Sequence, residues 1–305
     1  MKRILIFSIS LLFGTALFAQ FQVGQSLSPF QNVAPETQNQ ALSAWYGVPQ
    51  LNFSTGTRID GFGNRPVYQT LALSAPTGNN TGAAFVVNRE KAGLTTMLSA
   101  DFSFLYSLNL APEKAMKLVF HGTGSFNQMT FNIDDAVVNQ YDDPILAGGT
   151  MHQPAGNASA GLALMSQNKY YVGLNVSQLI PVRYGFMNTV VDNQMKPVIG
   201  FQGAYVYSLN ENASLQGWTA AGMSNKIFGF QLGADFKYRK IFWVGAGYRN
   251  NSSMIFNAGI TAQSFSFGYA FAYGMSDAVK NNATYAGVSN AIFIRKVFNE
   301  QKAAR

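Results

Sequence analysis

The sequence predicts an all-β protein: a transmembrane antiparallel β-barrel of about fourteen strands, within a range of twelve to sixteen. Three observations carry this. The stretch Lys226–Gly274 holds four runs in which apolar and polar residues alternate with a period of two. The chain is 14% aromatic and only 11% charged, against roughly 25% charged in ordinary soluble domains. Its connections also sort by length onto two ends, short ones at one and long ones at the other.

In the first of the four runs Phe228, Phe230, Leu232, Ala234, Phe236 and Tyr238 alternate with Gly229, Gln231, Gly233, Asp235, Lys237 and Arg239. A strand turns successive side chains to opposite faces, so one face is greasy and the other small or polar. The run Phe265–Tyr273 repeats the pattern. A soluble sandwich and a membrane barrel both produce such strands. Composition and loops favour the barrel.

From the N-terminus, Lys2 and Arg3 precede an apolar core, Ile4 to about Leu17, and the small residue Ala19. Residues 1–19 read as a secretory signal peptide cut after about Ala19, too short for the roughly 20 residues of a spanning helix. Residues 20–48 are rich in Gln, Asn, Ser and Pro without periodicity. They form an irregular segment, periplasmic or folded back into the lumen. Strands are expected at about 50–59, 66–75, 82–90, 95–108, 115–128, 156–166 and 169–177, then at 197–209, 212–220, 227–238, 241–250, 253–262, 264–274 and 284–297. The barrel domain is therefore 49–298, followed by a periplasmic tail, 299–305.

Most of these segments approach the 9–11 residues that a tilted strand needs to cross the hydrocarbon. With a periplasmic N-terminus, the connections Pro76–Thr81, Asn109–Lys114, Gln167-Asn168, Asn210-Glu211, Arg239-Lys240 and Gln263 all fall inside. The two longest, Met129–Ala155 and Gln178–Lys196, fall outside together with Met275–Ala283, although Asn251-Ser252, also outside, is short. Outer-membrane barrels sort their loops this way. Tyr170, Tyr171, Tyr205, Tyr207, Phe242, Trp243, Tyr248, Tyr269 and Tyr273 stand near strand ends, where amphipathic rings favour the bilayer interface.

The chemistry available is narrow. There is no cysteine, so an exported chain has neither a disulfide framework nor a thiolate centre. Two histidines, His121 in a strand and His152 in the first long loop, are too few for a zinc site. No cofactor or metal is expected, and no G-x-S-x-G elbow suggests an enzyme. The net charge of +7, or +5 once Lys2 and Arg3 leave, is scattered, which argues against nucleic acid.

Two groups of residues remain as candidate sites. With the Phe228 parity facing lipid, Asp235, Lys237 and Arg239 face the lumen, as do Trp243 and Arg249 on the next strand and Arg58 on the first. A charge at mid-bilayer costs about 2–4 kcal/mol. Such groups line a water-filled path or tie down a plug through Arg–carboxylate pairs. The loop Met129–Ala155 carries Asp134, Asp135, Asp142 and Asp143 without a Lys or Arg. It reads as an external partner loop.

The segment Leu51–Arg89 resembles the early strands of the PorP/SprF membrane proteins of the Bacteroidetes type IX secretion system. The matching positions are Arg58, Gly61, Ser74, Pro76, Gly78-Asn79 and Asn88. Lys169–Ser177 with Ile180-Pro181, Phe242–Arg249 and Phe267–Tyr273 also resemble family strands. Asn32-Val33-Ala34-Pro35 departs from the family's Asn-Pro-Ala-like motif. The resemblance implies an outer-membrane component that exports or anchors surface cargo, such as gliding adhesins, beside periplasmic and lipoprotein subunits. A passive outer-membrane channel or small-solute transporter is the alternative.

Overall fold

The computed structural model describes residues 30, 32–59, 66–132, 150–166, 169–184, 194–224, 227–250, 253–274 and 288–298. The expected signal peptide, the four aspartates of the acidic loop and the tail 299–305 lie outside the described residues. Fourteen strands close a barrel in which every neighbouring pair is antiparallel. In chain order they begin with β1 (Gln50–Ile59), β2 (Val67–Pro76), β3 (Thr81–Ala92), β4 (Thr95–Ala111), β5 (Met116–Phe131), β6 (Met151–Ser166) and β7 (Tyr170–Ser177). After a separate short pair, β8 (Val182–Arg183) and β9 (Gln194–Met195), the wall resumes with β10 (Val198–Ser208), β11 (Ala213–Ser224), β12 (Ile227–Tyr238) and β13 (Phe242–Arg249). It ends with β14 (Ser253–Ala262), β15 (Phe265–Gly274) and β16 (Val288–Val297).

β1 and β16 close the ring in continuous register, from Gln50 opposite Val297 to Ile59 opposite Val288. Closure pairs the strand edges within the membrane, which hydrocarbon demands because it offers no competing hydrogen bonds. The period of two does the sorting. Phe228, Leu232, Phe236 and Tyr238 are exposed on the outer wall of β12, while Gln231 and Asp235 are buried inside. On β15 Phe267, Tyr269 and Tyr273 face out, and Ala270 and Ala272 face in. The exposed apolar band is the lipid-facing surface of the barrel.

Arg239 departs from its expected lumenal position. It and Lys240 have φ of 51° and 55° and form the tight turn between β12 and β13. Its guanidinium lies 5.3 Å from the centre of the Tyr238 ring. The first long loop is also shorter than its sequence suggests. β5 and β6 continue outward to the pair Phe131 and Met151. His152 is consequently a strand residue, its Nδ1 3.0 Å from the Thr130 hydroxyl. Pro154 fits there because β6 pairs with β7 only from Ala160 onward, so the missing N–H falls on an open strand side. The second long connection folds inward through β8 and β9, and its Tyr184 and Met195 pack on Met97 of β4.

Candidate functional site

The lumen is occupied by the chain's own N-terminal segment. Residues 34–46 wind into two 3₁₀ pieces, Pro35–Thr37 and Gln40–Trp45. Pro35 opens the first, where its missing N–H costs nothing. Asn39 caps the second, its side chain accepting from the Ala41 N–H at 3.1 Å. The same amide donates to the wall carbonyls of Leu162 and Leu174 at 3.3 and 3.4 Å. Gly173 makes room for it, since a Cβ there would stand 2.7 Å from Asn39 Nδ2.

Apolar contacts seat this plug on both halves of the wall. Ala41 and Leu42 are fully buried in a cluster with Ala84, Val119, Met165 and Trp218. Trp45 meets Tyr171 edge-on, ring centres 5.3 Å apart. Phe30 packs on Phe293 at 5.4 Å. Tyr171 is therefore an inward-facing residue, a correction to the interfacial girdle, and Trp243 is buried on the lumen side; Tyr205, Tyr207, Phe242, Tyr269 and Tyr273 do stand exposed on the outer wall.

Two polar latches complete the seat. Arg295 of β16 donates from Nε to Asn52 Oδ1 at 2.7 Å and from Nη1 to the Tyr46 hydroxyl at 2.6 Å. Its Nη2 donates to the Val33 carbonyl and stands 3.5 Å from Glu36 Oε1. Glu36, only 2% exposed, also accepts from the Asn52 amide. Burial raises the Glu36 carboxyl above the usual carboxylate range, a stronger influence than the opposing pull of Arg295. Burial likewise pushes the Tyr46 phenol up. It stays neutral and donates to the Val33 carbonyl at 3.2 Å.

The second latch joins Asn32 to Asp235 of β12, Nδ2 to Oδ2 at 2.5 Å. Asp235 is 1% exposed. Gly245 opposite it lacks a side chain because a Cβ there would meet Asp235 Oδ1 at 1.9 Å. Gln202 adds a third tie, donating to Gln38 at 3.0 Å.

The plug separates two cavities that share no lining residue. The one toward the short turns, hence periplasmic, measures about 590 Å³ and is walled by Trp45, Tyr46, Asp235, Lys237, Trp243 and Arg295 among others. The one toward the long connections, hence external, measures about 170 Å³ and is lined chiefly by amides and hydroxyls.

Of the lumenal residues singled out from sequence, the fold gathers Asp235, Lys237 and Trp243 around the periplasmic cavity. Lys237 donates to Gln216 at 2.6 Å. Arg249 lies apart at the outer end of β13, where Nη2 donates to Gln231 at 3.3 Å. Arg58 stands in β1 opposite Ser289, also toward the outer end. The strongest latch uses Arg295 and Glu36, which were not among the expected residues. A signal was present: Glu36 is the single charged residue between Arg3 and Arg58. A lone carboxylate in a polar segment entering a barrel calls for a buried cation.

No curated protein matches the chain. Among solved structures it is similar to the CymD monoaromatic hydrocarbon channel, with 10% identity over 92% of this chain and 95% of that one and a TM-score of 0.54. It is also similar to the Pseudomonas putida toluene transporter TodX, with 10% identity over 87% and 92% of the two chains and a TM-score of 0.48. At such identity the first of these establishes a shared outer-membrane barrel fold and nothing about cargo. The family profile described as type IX secretion system membrane protein PorP/SprF matches residues 27–290. The chain belongs to the PorP/SprF family of type IX secretion system membrane proteins, and its membrane is the outer one.

Proposed function

We propose that this barrel serves the type IX machinery as a docking and anchoring component, holding secreted surface cargo through non-covalent protein contacts. The supporting observation is the plug. A lumen crossed by residues 32–48 and tied to the wall by Arg295 and Asp235 suits a rigid platform better than a passive pore for small solutes. Asp134, Asp135, Asp142 and Asp143 give the external side an acidic loop for a basic patch on an adhesin-like cargo. Periplasmic and lipoprotein subunits of the machinery are the partners on the other side. Lys237 and Arg249 serve the wall, keeping charge in the lumen and away from lipid.

Affinity purification from native outer membranes tests this reading. Recovery of secreted cargo and machinery subunits supports it. A protein that purifies alone and gives steady, large openings in planar bilayers is a channel instead. Deletion of residues 134–149 is expected to impair cargo display while the barrel stays heat-modifiable on a gel; unchanged display removes the acidic loop from the contact.

A further inference from the structure

The external cavity has a wall chemistry that the anchoring role alone does not require. Six consecutive strands, β2 to β7, each place an amide or hydroxyl on the cavity: Thr70, Asn88, Ser99, Asn127, Asn157 and Asn175. The first four are linked in register, whereas Asn157 stands opposite Ser125 and binds the Ile180 backbone with both ends of its amide. The Thr70 hydroxyl donates to Asn88 at 2.8 Å, Asn88 donates to Ser99 at 3.3 Å, and Ser99 stands opposite Asn127. The adjoining strands β10 and β11 add little side chain, with Gly200 opposite Gly222 and the Asn175 amide lying over Gly200, where a Cβ would come within 2.3 Å of its Oδ1. Gln38 and Gln40 of the plug supply the floor. The result is a cup with a hydrogen-bonding side, small residues at Gly200 and Gly222 beside it, and an amide floor.

Its chemistry narrows the occupant. An apolar solute finds little greasy wall, Met97 and Met195 being the large apolar side chains that line it. A strongly charged ligand finds Arg89, Glu90 and Asp101, nearly balanced, and Arg89 already donates to Gln69 at 3.3 Å. A sugar wants an aromatic face, yet the lining ring, Tyr68, lies against Gly56, where a Cβ would come within 2.4 Å of it. An extended polypeptide presents a donor and an acceptor at every residue, which side-chain amides satisfy in either sense and for any neutral sequence.

We propose that this cup seats an extended, uncharged polypeptide segment of the cargo, entering from outside and stopping at Gln38 and Gln40. The identity of the segment as cargo rests on the function proposed above; the peptide chemistry of the cup does not.

Two measurements separate these. The first uses the full chain in native outer membranes, with S99W to fill the cup and, for cross-linking, S99C in the cup against L98C on the lipid face; the natural sequence has no cysteine. The expected result is a photo-cross-link from position 99, and none from position 98, to the cargo that co-purifies with the natural protein. S99W is expected to reduce cargo recovery to background while heat modifiability persists. The second titrates the purified protein with a neutral Ser/Asn/Gly dodecapeptide and, separately, with maltoheptaose. Saturable peptide binding that S99W abolishes supports the cup. Binding of the sugar in place of the peptide, binding of neither, or cargo recovery undiminished by S99W overturns it. Peptide binding in a protein that recovers no cargo overturns the anchoring role alone.

Discussion

Replacing Arg295 by methionine should release the plug without opening the barrel. The change keeps much of the side-chain volume beside Phe293, whose ring the guanidinium overlies at 5.2 Å. It removes the donors to Asn52, Tyr46 and Val33 and the cation 3.5 Å from Glu36. Breaking a buried pair by removing one partner costs about 3–5 kcal/mol, because the other charge is left uncompensated. Most of that cost falls on the seated state, since an unseated plug exposes Glu36 to water. At 1.4 kcal/mol per tenfold, the unseated population rises by roughly two to three and a half powers of ten. Ala41→Cys provides the readout: the site is fully buried against the wall, and the natural chain supplies no competing thiol. A membrane-impermeant maleimide should label Ala41→Cys far faster in the Arg295→Met background, with the folded barrel still heat-modifiable. An unchanged labelling rate in a folded barrel would refute the latch.

Three further outcomes follow from the same geometry. Glu36→Gln should leave the plug seated, because it keeps an acceptor for Asn52 and Arg295 while removing a charge that burial disfavours. A carboxyl held above its ordinary value in the folded state binds its proton more tightly there, so seating strengthens as pH falls through that raised value and weakens above it. Labelling of Ala41→Cys, normalised to the denatured chain, should therefore slow on mild acidification, and acceleration would contradict the burial argument. Leu232→Arg, on the lipid face midway along β12, should cost about 2–4 kcal/mol in urea titrations of folding into vesicles. Gly259→Ala should cost about 1–3 kcal/mol in the same assay. Its Cβ would stand 2.2 Å from the Trp243 ring and 2.4 Å from the fixed carbonyl of Phe267.

The wall was legible because lipid and lumen impose opposite demands on alternate residues, and Phe228 through Tyr238 record both without reference to any distant part of the chain. His152 reads as a loop residue because the outer ends of β5 and β6 rise beyond the part of the wall where that contrast operates. Alternation fades there, and Met129, Phe131 and Met151 gather instead around Tyr184 and Met195. A place near a strand end suggests the interface for Tyr171, whereas strand parity turns it toward Trp45. The plug was least legible. Its short 3₁₀ turns have no usable period, and its decisive bonds join Val33 to Arg295, 262 positions away. Leu42 stands with Ala41, Ala44 and Trp45 in a run too short to show a period, and its partners appear only on the inner wall.

The position of Arg295 also constrains the order of assembly. It lies on β16, the strand that closes the ring, and reaches at once to Asn52 on β1 and to the plug at Val33, Glu36 and Tyr46. The plug and β1 are adjacent in sequence and can meet early. The cation that locks them arrives only with the far end of the barrel. Zipping the last seam and locking the plug are thus one step, and a barrel stalled before closure holds its N-terminal segment by apolar contacts, the neutral ties of Gln38 and Asn39 and the Asp235 latch, without its cation.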